Sequence, residues 1–136
     1  MSSQSDQTSG RAVRVLILED EPIILMDIEH ILEAAGFQPV TAKSSGKALR
    51  EIEECAPDVA LLDVNLGRGS TCEAVAERLR ELAVPFALHT GDLERQGELV
   101  MRFDVPILAK PSSNDAIVQT VKGLCSPEVE PGTLAS

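Results

Sequence analysis

Short continuous apolar runs alternate along this chain with longer segments in which hydrophobic residues recur every three or four positions. The most pronounced run, Asp58-Val59-Ala60-Leu61-Leu62-Asp63-Val64-Asn65-Leu66, enters at Pro57 and leaves through Gly67-Arg68-Gly69. An uninterrupted apolar stretch of this length, bounded by turn residues, reads as a strand buried on both faces. Similar runs at Ala12–Leu18, Val40–Ala42, Val84–His89 and Val105–Ala109 predict four more strands.

Between the strands the period changes to that of a helix. Pro22 suits a first helical turn; Leu25, Ile28, Ile31, Leu32 and Ala35 form an inward stripe, and Gly36 is a natural stop. Ser44 or Ser45 can cap a second helix burying Ala48, Leu49, Ile52 and Cys55. Ser70-Thr71-Cys72-Glu73 fits a capping box opening a third, with Val75, Ala76, Leu79 and Leu82 inward. A weaker helix is predicted from about Leu93 to Met101, with Gly97 inside it, and a last one, capped by Ser112 or Ser113, buries Ile117, Val118, Val121 and Leu124. Five strands alternating with five helices predict an α/β fold, a doubly wound five-stranded parallel sheet with helices on both faces. Residues 1–11 are expected to be a disordered tail, 12–124 the folded domain and 125–136 a flexible tail.

Composition narrows the function classes. A net charge of −10 argues against nucleic acid or an anionic membrane as the main partner. Cys55, Cys72 and Cys125 lack metal-like spacing and are odd in number, which fits a reducing compartment. No run is long enough to span a bilayer, so the expected location is the cytoplasm.

Open parallel sheets carry their sites at the carboxyl ends of the strands. Here those ends are Glu19-Asp20, Asp63, Thr90 and Lys110. Each alone could be a cap or a rim charge; together they bring three carboxylates, a hydroxyl and an ammonium to one rim. Clustered carboxylates repel unless a cation sits among them, and hard oxygen donors favour Mg²⁺. A lysine and a hydroxyl beside such a metal suit a phosphoryl group, and an aspartate can itself be the nucleophile. The chain has no Gly-x-x-x-x-Gly-Lys-Ser/Thr loop, so the phosphoryl donor need not be ATP. The residues thus point to an Mg²⁺-assisted phosphoryl site with Asp63 as acceptor.

The motifs Leu-Glu-Asp-Glu-Pro, Asp-Val-Ala-Leu-Leu-Asp-Val-Asn-Leu, Thr-Gly and Lys-Pro, each at a strand end, resemble those of the receiver domain of bacterial two-component response regulators, over about Val13 to Leu124. The resemblance implies the flavodoxin-like strand order 2-1-3-4-5, for which a member of this family is a standing example. It implies that Asp63 accepts a phosphoryl group from a histidine kinase or histidine phosphotransfer protein. Asp20, Asp63 and the main-chain carbonyl of Asn65 would ligate Mg²⁺, Glu19 would act through a water, and Thr90 and Lys110 would bind phosphoryl oxygens. It also implies a cis Lys110-Pro111 bond.

The chain departs from the pattern at two places. Ile107 stands where receivers usually carry a Tyr or Phe that rotates on phosphorylation. Pro85-Phe86-Ala87-Leu88-His89-Thr90-Gly91 matches only partly the Pro-Phe-x-Phe-Ala-Thr-Gly run of one group of single-domain receivers, and His89, facing away from Thr90, is expected to be structural or at the surface. The segment after Cys125 is too short for an output domain, so the expectation is a stand-alone receiver, not an enzyme, that relays phosphate or docks to a downstream protein. The competing readings are an Mg²⁺-dependent aspartate-nucleophile phosphatase and a receiver-like binding module that never takes phosphate. The sequence names neither kinase nor target.

Overall fold

The computed structural model describes residues 12–66, 71–91 and 101–125. Its strands are β1 (Arg14–Leu18), β2 (Gln38–Ala42), β3 (Val59–Asp63), β4 (Phe86–Thr90) and β5 (Ile107–Ala109). The helices with both ends described are α1 (Pro22–Ala34), α2 (Ser45–Glu54), α3 (Glu73–Glu81) and α4 (Asn114–Cys125). All neighbouring strands pair in parallel, in the order β2-β1-β3-β4-β5. This is the expected fold. Residues 101–103 are helical, whereas the rest of the helix predicted from Leu93, Gly97 within it, and both tails lie outside the described residues.

Alternation along the central strands splits the core in two. Leu16, Leu18, Ala60, Leu62, Phe86 and Leu88 pack on one face with residues of α2 and α3. Val15, Ile17, Val59, Leu61 and Ala87 pack on the other with α1 and α4. β3 and β4 are buried along their whole length, which is why they read as continuous apolar runs. The backbone therefore delivers Asp63 and Thr90 to the rim on fully buried strands.

Local chemistry sets the element ends. Pro22 opens α1, and Gly36, at φ 95°, closes it: Gly36 N–H donates to Glu33 O and Phe37 N–H to Leu32 O. Of the alternative caps, Ser44 serves α2, its Oγ accepting from Lys47 N–H at 3.2 Å. Ser113 serves α4, accepting from Ala116 N–H at 3.0 Å. At α3 the helix begins at Glu73, whose N–H donates to Thr71 Oγ1 at 3.3 Å; Ser70, the expected capping residue, lies outside the described residues.

Three residues assigned to the core are not in it: Ala35, exposed where it caps the end of α1, Cys55 and Leu82. Cys55 is exposed because α2 ends at Glu54 and the chain turns extended there, its carbonyl accepting from the Arg14 guanidinium at 3.1 Å. Leu82 is 37% exposed because it caps α3, after which Ala83 takes a φ of 60° and reverses the chain. Leu49 and Val118 are only partly buried, at the edges of their clusters.

Candidate functional site

β1, β3, β4 and β5 carry the site groups to the rim, β1 two and each of the others one. β1 runs apolar from Val15 to Leu18 and then delivers Glu19, which is 1% exposed, and the half-buried Asp20. β3 delivers Asp63, 3% exposed. One carboxylate oxygen from each of Glu19, Asp20 and Asp63 lies within 4.8 Å of the others. β5 leads into Lys110, whose Nζ stands 3.1 Å from Glu19 Oε1 and 3.2 Å from Asp63 Oδ1. The Lys110-Pro111 bond is cis, as expected.

Backbone donors complete the carboxylates' surroundings. Glu21 N–H donates to Glu19 Oε2 at 3.2 Å and Asn65 N–H to Asp63 Oδ1 at 3.3 Å. Thr90 is buried at the end of the neighbouring strand, and its carbonyl accepts from Lys110 N–H at 2.9 Å. The fold thus gathers Glu19, Asp20, Asp63 and Lys110 into one cluster, with Thr90 and Asn65 at its border.

Electrostatics follow from this crowding. Burial, and then the charge of Glu19, push the Asp63 carboxyl up to about 7, against the opposing pull of Lys110. Burial works against the Lys110 ammonium, yet Asp63 and Glu19 outweigh it and hold its pKa above the ordinary value. With all three carboxylates ionised, they face one ammonium among the described residues, which leaves two negative charges uncompensated. Glu19 Oε1 is buried and accepts no hydrogen bond, although Lys110 lies at ion-pair distance. A hard, oxygen-only donor set with a surplus of two negative charges fits a small divalent cation such as Mg²⁺.

The model of the response regulator receiver domain matches residues 15–122. The chain belongs to this family. Receiver domains signal through phosphorylation and bind Mg²⁺ at an acidic pocket, and this chain has an acidic cluster of Glu19, Asp20 and Asp63. The phosphate regulon transcriptional regulatory protein PhoB of Escherichia coli is 39% identical over 70 residues, which are 52% of this chain and 31% of PhoB. The phyllosphere-induced regulator PhyR of Methylorubrum extorquens is 34% identical over 87 residues, 62% of this chain and 33% of PhyR. The chain thus spans about a third of the length of these curated relatives. Among solved structures, the chemotaxis protein CheY4 of Vibrio cholerae superimposes with a TM-score of 0.74 at 21% identity, covering 84% of this receiver and 99% of CheY4. Among the described residues, no helix is long and apolar enough to cross a membrane.

Of the two expectations for His89, structural or at the surface, its burial fits the first: it is 4% exposed, and its Nε2 has no hydrogen-bond partner. Burial, and then the nearby Lys110 charge, lower its pKa to about 4. Parity along the strand was the available signal, since His89 follows Ala87 on the face that packs against α1 and α4.

Proposed function

We propose that this receiver domain accepts a phosphoryl group on Asp63 from a histidine kinase or histidine phosphotransfer protein, and signals by relaying it or by docking to a downstream protein. The observation that carries this reading is the pairing of Asp63 with Lys110 at 3.2 Å inside a cluster of three carboxylates. An Asp63 carboxylate oxygen attacks phosphorus, the bond from phosphorus to the donor's imidazole nitrogen breaks, and its electron pair stays with the imidazole. Lys110, freed from Asp63 as that carboxylate becomes an acyl phosphate, turns its ammonium to the phosphoryl oxygens, and the Thr90 hydroxyl donates to another. Asp20, Asp63 and the Asn65 main-chain carbonyl would hold Mg²⁺, with Glu19 acting through a water. Bound there, the cation would compensate negative charge on the phosphoryl oxygens and the carboxylates.

The protein acts in the cytoplasm as a phosphoryl acceptor rather than as an enzyme with a separate substrate, and it needs neither nucleic acid nor a membrane for the transfer. Intact mass after incubation with acetyl phosphate and Mg²⁺ tests the assignment. One added phosphate is expected in the parent and none in Asp63→Asn. An undiminished phosphate in that variant overturns it.

A further inference from the structure

Beside the acidic cluster, between α1, the end of β4 and the start of α4, lies a cavity of about 320 Å³. That volume sits at the lower end of the range for small-molecule sites, roughly 300–1,000 Å³. Ile24, Ile28, Pro111 and Ile117 give it an apolar wall. Asp27, His89, Lys110 and Ser112 break that wall. The Ser112 hydroxyl already donates to the Ala109 carbonyl, and two of the others, His89 and Asp27, have not been used by the phosphoryl chemistry.

The first is His89, whose buried Nε2 has no hydrogen-bond partner. A buried polar atom left unpaired costs on the order of 1–3 kcal/mol, so a ligand atom that bonds it recovers a real deficit. The ring is uncharged at neutral pH, and its Nε2 can donate or accept one hydrogen bond according to tautomer. The second is Asp27, exposed on α1 at the cavity's mouth and in no ion pair with any described residue. Lys110 also lines the cavity, but its ammonium is already held between Glu19 and Asp63.

We infer that this cavity binds a small organic amine, its apolar body against Ile24, Ile28 and Ile117, a hydrogen-bonding group on His89 Nε2 and its cationic nitrogen at Asp27. An anionic ligand is disfavoured by Asp27 at the entrance and by the chain's net charge of −10. A purely apolar molecule would leave His89 unpaired.

Three probes sharing an indole body separate these contributions: tryptamine (cationic), tryptophol (neutral) and indole-3-acetate (anionic). Each is titrated into the methyl- and histidine-labelled full chain without phosphodonor, so the outcome is independent of whether Asp63 is the acceptor. Saturable shifts of the Ile24, Ile28 and Ile117 methyls and of the His89 ring are expected. Tryptamine should bind roughly two- to fivefold tighter than tryptophol, the range of a solvent-exposed ion pair, and indole-3-acetate weakest. His89→Leu should weaken tryptamine about tenfold, the loss of one hydrogen bond to a buried group. Asp27→Asn, at an exposed helical position that leaves the fold intact, should erase the preference for tryptamine and leave tryptophol unchanged. Absence of saturable shifts at these methyls at millimolar probe, indole-3-acetate binding as tightly as tryptamine, or an unchanged preference in Asp27→Asn would each overturn the inference.

Discussion

Replacing Asp63 by Asn should make the metal-free protein markedly more stable at pH 8 and little more stable at pH 4.5. The carboxyl titrates at about 7 in the folded protein, against an ordinary value of 3.8. Between those values the folded state binds more protons than the unfolded chain, so stability falls as pH rises through the window and is level above it. At 1.36 kcal/mol per pH unit, the folded protein loses about 4 kcal/mol by pH 8 through holding this charge. Asn is neutral at every pH and nearly isosteric, so it removes that loss, to which the repulsion from Glu19 contributes. At pH 4.5 the parent's Asp63 is already protonated when folded, and the gain should be about 3 kcal/mol smaller.

The measurement is thermal or urea unfolding of both proteins in chelator at the two pH values. A gain of about 4 kcal/mol corresponds to a rise in Tm of roughly 10–15 °C for a domain of this size. Equal gains at pH 4.5 and pH 8 would show that the charge of Asp63 is not the source. No gain at pH 8 would show that Lys110, at 3.2 Å, fully compensates the buried carboxylate.

Mg²⁺ that binds only the folded state must stabilise it, by about 1.4 kcal/mol at ten times its Kd; Asp20→Asn should reduce that gain in a thermal melt, and a parent Tm indifferent to Mg²⁺ would remove the cation from the cluster. Ala83 holds a φ of 60° where the chain reverses after α3, so Ala83→Gly should raise stability by up to about 1 kcal/mol, read as a shift of the urea midpoint with an unchanged slope. The exposed Asn65, two residues past Asp63, is a small polar neighbour that can orient water toward an acyl phosphate, so Asn65→Met should slow decay of the phosphorylated mass once the donor is removed. Equal lifetimes in parent and variant would refute that role.

The sheet was legible because β1, β3 and β4 are buried on both sides and need continuous apolar runs. Of the strands that begin later than the runs that announced them, two start directly after a proline, β4 at Phe86 rather than Val84 and β5 at Ile107 rather than Val105. Pro85 and Pro106 have no N–H to give, yet their carbonyls accept from Ala60 and Leu88 N–H, so the ladder begins with an acceptor only. β2 begins earlier than predicted, at Gln38, and tolerates Pro39 because it is an edge strand with a neighbour only in β1. The acidic cluster was legible from the rule that strand ends carry the site. The position of Lys110 between Glu19 and Asp63 was not, since no local pattern reports which two carboxylates a flexible ammonium will choose.

One strand end governs two different environments. Asp63 and His89 are register partners on β3 and β4, and both are more than nine-tenths buried. The same burial acts oppositely on an acid and a base: it raises the Asp63 carboxyl to about 7 and lowers the His89 imidazole to about 4. Between those values, without a bound cation, both side chains are held mainly in their neutral forms, and the rim avoids two costly buried charges. Above pH 7 only Asp63 ionises, and it does so beside a lysine already shared with Glu19. The requirement for further positive charge therefore falls on the acidic cluster alone. His89, neutral and with its Nε2 unpartnered, instead requires a hydrogen bond. Lys110 touches both regions, pairing the carboxylates while its side chain lines the cavity, so a change in what it pairs with alters the wall against which a ligand would rest.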